Sequence, residues 1–300
     1  MERETKSDVT VLGHGSLMSG RGLAFSGALQ VKDACIVALR HCRRGFAKLS
    51  RYGDRFATDI ETQQFPLAGW RVPLTIPPNG EVETLALTVA LEDFLRLVKR
   101  EGYRPEAMQQ LAEIAATRQR SVAEWLWELQ ADAGHDPVLY RRKLFALTNY
   151  TSPHYIPHPV RLANGRYGLI FLAPGSEGTG SADVISIRQQ TGMQGVMNLL
   201  QTWKKKPNDD QLSYFLSCLL GGVHGVNVRD LLVAVDEEPS LALLLRERLA
   251  VEILEECERF VAVTNLSQIE YQQLFGDPEE RFTRSGLHAF LESGVTEEQD

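Results

Sequence analysis

The sequence predicts a mixed α+β fold, and three observations carry that prediction. A β-branched run, Asp8-Val-Thr-Val-Leu-Gly13, leads straight into a glycine-rich turn. Strand-like and helix-like stretches then alternate irregularly, without the repeated spacing of βαβ units. Long helical stretches fall at 105–147 and beyond 236. Strands from distant parts of the chain are therefore expected to form one mixed β sheet or barrel, surrounded by helices.

Taken in order, Asp8–Gly13 is the first strand. The segment His14-Gly-Ser-Leu-Met-Ser-Gly-Arg-Gly22 is too glycine-dense for a helix or a paired strand and reads as a loop. Ala34–Leu39 is a second strand, followed by the basic stretch Arg40–Phe46. Residues 50–78 mix aromatics, Gly and Pro without a helical period, which fits short strands and turns. Thr84–Ala90 is a further strand. Leu91, Phe94, Leu95 and Val98 then form one apolar stripe, giving an amphipathic helix that Gly102 and Pro105 end. Pro105 suits the first turn of a new helix, and Ser121-Val-Ala-Glu124 reads as a capping box opening another. Thr148–Pro159 carries three prolines and reads as an irregular loop. Tyr167–Ala173 returns to strand, and Pro174–Gly180 is a second glycine-rich loop. Asp209–Leu220 is helical and stops at Gly221-Gly222, while Ser240–Phe260 is the longest helical candidate. The acidic tail after Gly276 is expected at the periphery. This organisation divides the chain into a domain at 1–235, with 105–160 as a helical insertion, and a helical C-terminal extension and tail at 236–300.

The 300 residues hold 32 Lys plus Arg against 39 Asp plus Glu, a formal charge of −7. That balance argues against a general nucleic-acid binder, which needs many cations to displace counterions from phosphate. No window approaches the run of about 20 apolar residues that a bilayer demands. The N-terminal residues, Met1–Asp8, are charged and do not resemble a signal peptide. The four cysteines, Cys35, Cys42, Cys218 and Cys257, are scattered without C-x-x-C spacing. They read as reduced thiols of a cytoplasmic protein.

Two places could carry chemistry. In Gly13-His-Gly-Ser-Leu17, glycines on both sides of His14 let several backbone amides converge on one anion. Neither the Walker pattern nor the dinucleotide fingerprint is present, and a simple tight turn is the bland alternative. The second is Glu101, in Lys99-Arg-Glu-Gly-Tyr103. Continuing the helical period puts it beside Phe94 and Val98, at the border of the apolar stripe. A carboxylate there is partly desolvated, which raises its pKa toward the range useful for proton transfer. The bland alternative is a glutamate at a helix end, solvated or paired with Arg100 or Arg104.

Together these features resemble the γ-glutamylcyclotransferase-like superfamily, most closely its ChaC-type, glutathione-degrading branch. That branch carries Gly-Tyr-Gly-Ser-Leu straight after its first strand, where this chain has Gly13-His-Gly-Ser-Leu17. Its Arg-x-Phe element is similar to Arg44-Gly45-Phe46, and its Arg-Glu motif, followed soon by Gly-Tyr, is similar to Arg100-Glu-Gly-Tyr103. Ser213-Tyr-Phe-Leu through Leu231 resembles its closing helices. The resemblance covers residues 8–103 and 167–235 in matching order. Two departures stand out: His14 replaces the usual tyrosine, and the helical stretch at 105–147 is long.

The resemblance implies a cofactor-free, metal-free cyclisation. The α-amine of a γ-glutamyl group attacks its own side-chain carbonyl, and pyroglutamate forms as the attached amine departs. Glutathione is the substrate implied by the branch, and a γ-glutamyl group on another amine is the near alternative. Glu101 would take the proton from the attacking ammonium and return one to the leaving nitrogen. Gly13, His14, Gly15, Ser16 and Leu17 would hold the glutamyl carboxylate or the developing oxyanion. Arg44 and Tyr103 would support the loop or the substrate. An intramolecular attack needs no enzymic nucleophile, and such reactions reach effective molarities of about 10⁵–10⁸ M.

A rival reading keeps the fold without the catalysis: a scaffold that meets protein partners through its insertion or its C-terminal extension. A hydrolase built on Ser16 is weaker, since no His/Asp pair has recognisable spacing. His154 and His158 have a metal-like spacing, but the prolines around them prevent the helix that would align both. His224, between glycines, reads as structural.

Overall fold

The computed structural model describes residues 8–40, 42–50, 55–62, 80–100, 104–134, 136–148, 155–172 and 209–293. Its strands are β1 (Asp8–Gly13), β2 (Val31–Arg40), β3 (Cys42–Ser50), β4 (Arg55–Thr62), β5 (Glu81–Ala90), β6 (Ile156–Arg161) and β7 (Tyr167–Leu172). Helices α1 (Gly20–Leu23), α2 (Leu91–Arg100), α3 (Pro105–Thr117), α4 (Val122–Asp132) and α5 (Pro137–Thr148) come first. They are followed by α6 (Asp209–Leu219), α7 (Arg229–Asp236), α8 (Pro239–Thr264), α9 (Gln268–Phe275), α10 (Pro278–Ser285) and α11 (Leu287–Glu292). Short 3-10 turns span Gly15–Met18, Ala24–Ser26 and Leu220–His224.

The fold is α+β. Five strands make one mixed sheet in the order β2-β5-β1-β7-β6, and β3 pairs with β4 alone among the described residues. At its centre β1 lies antiparallel to β5, with Val9 opposite Val89 and Val11 opposite Leu87, and parallel to β7. All six residues of β1 are buried, so both faces of the central strand are covered. On the face opposite the valines, Thr10 and Thr88 face each other with Oγ1 atoms 2.9 Å apart, so each buried hydroxyl meets the other. Helix α2 packs on β1 and β5, and α4 on β6, β7 and β1. The apolar cluster is continuous from Val11 and Phe171 in the sheet to Leu249 and Phe260 in α8.

Of the two forms expected, sheet or barrel, the described strands make an open sheet, since its outer strands β2 and β6 are not paired with each other. Among the described residues helices α2 and α4 pack on it. Three expectations need correction. The segment expected as irregular loop, Thr148–Pro159, ends in strand β6, which pairs with β7 on one side. Pro157 and Pro159 are two residues apart, so their nitrogens, which carry no hydrogen, face one side of the strand; an edge strand tolerates that. The glycine-dense stretch after His14 holds the 3-10 turn Gly15–Met18 and helix α1. Finally, the acidic tail is not peripheral up to 293, since Arg281, Ser285, Leu287 and Phe290 of α10 and α11 are buried.

Candidate active site

The end of β1 shapes the candidate loop. A Cβ on Gly13 would lie 2.7 Å from the carbonyl oxygen of Leu17, so the chain doubles back over the strand end at a distance only glycine permits. Gly15 takes φ +60, the left-handed region, which turns the chain into the first 3-10 turn. Leu17 N donates to His14 O at 3.2 Å. The amide of Gly15 opens the turn and is not consumed by the turn's own hydrogen bonds. Both polar side chains of the loop are nearly closed off, with His14 8% and Ser16 7% exposed.

His14 reaches back to the sheet: its Nε2 lies 2.7 Å from the carbonyl oxygen of Phe171 in β7. Phe171 also stacks with Phe94 of α2, ring centroids 6.3 Å apart. The loop, the end of β7 and the first turns of α2 are thus one packed unit. Arg100 is the last described residue of helix α2. Glu101 and Tyr103, which the sequence singles out with the loop, lie outside the described residues.

Arg44 belongs to the loop's support. Its guanidinium is fully enclosed and donates to Glu83 O at 2.9 Å, Asn227 O at 2.6 Å and Asp230 Oδ1 at 2.9 Å. Nη1 also lies 3.1 Å from Met18 Sδ, at the end of the 3-10 turn. One side chain therefore ties β3, β5 and the start of α7 to the loop, and these bonds all go to the protein itself.

Beyond the turn, Ser19 Oγ accepts from Gly22 N at 3.1 Å and donates to Ser16 O at 3.4 Å. The amides that open α1 point at the carboxylate of Glu256 in α8. Gly20 N donates to its Oε1 and Arg21 N, at 3.3 Å, to its Oε2. Glu256 is wholly buried and also meets His224 Nε2 at 3.0 Å and Arg259 Nη1 at 3.5 Å. His224 Nδ1 in turn lies 2.8 Å from the Tyr271 hydroxyl, whose pKa burial and the adjacent Cys257 push upward. The sequence pattern marks neither Glu256 nor Tyr271, and His224 reads from it as structural. The available signal was positional: Glu256 follows Leu249 by seven residues and precedes Phe260 by four, on the buried stripe of α8. At the rim of this cluster Glu252 takes bonds from Arg21 and Arg259. Partial burial pushes its carboxyl up, but those cations outweigh burial and hold it below the usual value.

The remaining candidates lie apart. His158 is fully buried in β6 beside Tyr140, ring centroids 5.5 Å apart, and desolvation holds its pKa down to about 3. A neutral, enclosed imidazole of this kind is a core residue; His154 lies outside the described residues. Among the described residues no cluster of His, Cys, Asp and Glu is placed to hold a metal ion, and no helix is long and apolar enough to cross a membrane. A cavity of about 350 Å³ opens among α3, α4 and α5, lined by Ile114, Trp125, Leu129, Lys143 and Leu147 among others. It shares no lining residue with the loop. No family model matches this sequence, and no curated protein or solved structure matches it either.

Proposed function

We propose that the chain is a γ-glutamylcyclotransferase-like enzyme that cleaves a γ-glutamyl amide by cyclisation to pyroglutamate. One observation carries the reading furthest: the Gly13–Leu17 loop and helix α2, whose last described residue, Arg100, precedes Glu101 in the sequence, meet on the same residue, Phe171. A general base and an amide cradle must converge for this chemistry, and elements sharing one packing partner are suited to it. In the proposed reaction the substrate's ammonium gives a proton to the Glu101 carboxylate, and the free amine attacks the side-chain carbonyl. The carbon–nitrogen bond to the leaving amine then breaks as the same carboxyl returns a proton to that nitrogen, and the ring nitrogen gives its second proton to the departing amine, which leaves as an ammonium. The Gly15 amide and neighbouring loop groups would hold the oxyanion or the glutamyl carboxylate.

The test is incubation with a panel of γ-glutamyl compounds, glutathione among them, with pyroglutamate read by mass spectrometry. Release by the wild type, and a loss of about 10²-fold or more in Glu101→Gln, is the expected result. Undiminished activity in that variant removes the mechanism. The burial of His14 and Ser16 favours a second reading, a scaffold of the same architecture without catalysis. Absence of pyroglutamate across the whole panel selects it.

A further inference from the structure

We infer that the C-terminal helix α8 controls the geometry of the Gly13–Leu17 loop through Glu256, which makes Glu256 a positioning residue of the proposed site. The inference rests on the cyclisation reading only for its catalytic consequence; the structural part stands on the contacts themselves.

Glu256 is an acceptor between two separated parts of the chain. Its two oxygens receive the amides of Gly20 and Arg21 from one side, and His224 and Arg259 from the other. All four donors converge on one carboxylate with no exposed surface. Burying such an anion is costly unless its lone pairs are met, and here they are met by the loop's own continuation. Two close approaches make the connection stiff. A Cβ on Gly20 would lie 2.5 Å from Phe260 N, so α1 rests on the backbone of α8 itself. A Cβ on Gly22 would lie 1.7 Å from Ser16 O, so α1 in turn rests on the loop. Ser19 adds its hydroxyl bond to Ser16 O. From Glu256 the path to Ser16 runs through the backbone of Gly20, the Ser19 hydroxyl and the close approach of Gly22.

The experiment measures backbone amide exchange in the full chain. Glu256→Gln keeps the side chain's size and removes its charge. Exchange at 15–23 is expected to rise by about tenfold or more, while amides in β5 and α4 keep wild-type rates. Unchanged exchange at 15–23 overturns the inference. Should Glu256→Gln fail to fold, Arg259→Gln removes one donor from a partly exposed position. A smaller rise confined to the same residues is then expected, and no rise overturns it. Where the wild type releases pyroglutamate, Glu256→Gln is expected to lower kcat/KM while leaving the shape of its pH profile unchanged. A displaced pH profile, or activity equal to wild type, overturns the positioning role. A wild type without activity sinks the cyclisation reading, and the exchange result still decides what Glu256 does.

Discussion

The Nε2 of His14 lies 2.7 Å from the carbonyl oxygen of Phe171, and a carbonyl can only accept. The ring nitrogen facing it must therefore carry the hydrogen, which fixes one side of the imidazole and anchors the loop to β7. His14→Ala deletes the donor and leaves a buried carbonyl to be met otherwise, at a cost of about 1–3 kcal/mol. His14→Gln keeps an N–H at a similar reach and is expected to recover part of that loss. Urea denaturation of the three chains measures the ranking, and equal midpoints for Ala and wild type would show that the bond contributes nothing.

Arg44 is expected to be the most costly of the loop's supports to replace. Its guanidinium serves two backbone carbonyls and Asp230 at once while fully enclosed. Arg44→Met leaves Asp230 without this partner and two carbonyls without this donor. Breaking a buried pair typically costs about 3–5 kcal/mol, and the partial exposure of Asp230 puts the expectation near the lower end. Arg44→Lys offers one point of charge instead of a planar fork and is expected to recover less than half of the loss. Thermal or chemical unfolding decides both.

What the sequence disclosed was local, and what it hid was tertiary. Strand β1 and helix α2 were legible, because a β-branched run ending in glycine and an apolar stripe at helical spacing are properties of neighbours. The capping box at Ser121 and Glu124 formed as its spacing predicts. Helix α1 was not legible, because the carboxylate that meets its first amides belongs to Glu256, far along the chain. Strand β6 was hidden by prolines that are harmless only at a sheet edge, and the sequence does not say which strand is the edge. Of the candidate site, the glycine loop could be found by composition. Its union with Arg44 through Met18, and with α2 through Phe171, depends on how distant segments pack.

Gly22 offers a direct test of that packing. Its φ lies outside the left-handed region, so alanine there is not opposed by the backbone itself; the obstacle is Ser16 O at 1.7 Å from the added carbon. Backbone cannot step aside as a side chain can, and overpacking of this kind costs about 1–3 kcal/mol or more. Gly22→Ala is expected to lower the melting temperature and to disturb the loop before the sheet. Amide exchange that rises at 14–20 and stays flat in β5 is the signature; a melting temperature equal to wild type would mean that α1 does not press on Ser16.

Acid sensitivity should trace to His158. Buried beside Tyr140, its imidazole is held at a pKa of about 3 by desolvation, against 6.5 for the ordinary side chain. Between those two values the unfolded chain binds a proton that the folded chain refuses. Stability therefore rises with pH across that window and falls as acid is added, by up to roughly 1.4 kcal/mol per pH unit from this one group. Above the window the group contributes nothing to the slope. The carboxyls of Glu252 and Glu270 are held below their usual 4.5, so the stability they lend is lost only at lower pH and does not enter the upper part of the window. His158→Leu takes up no proton on unfolding. Between about pH 6.5 and about pH 5 its denaturation midpoint is accordingly expected to fall less steeply than that of the wild type. Parallel curves for the two chains would assign the acid sensitivity elsewhere.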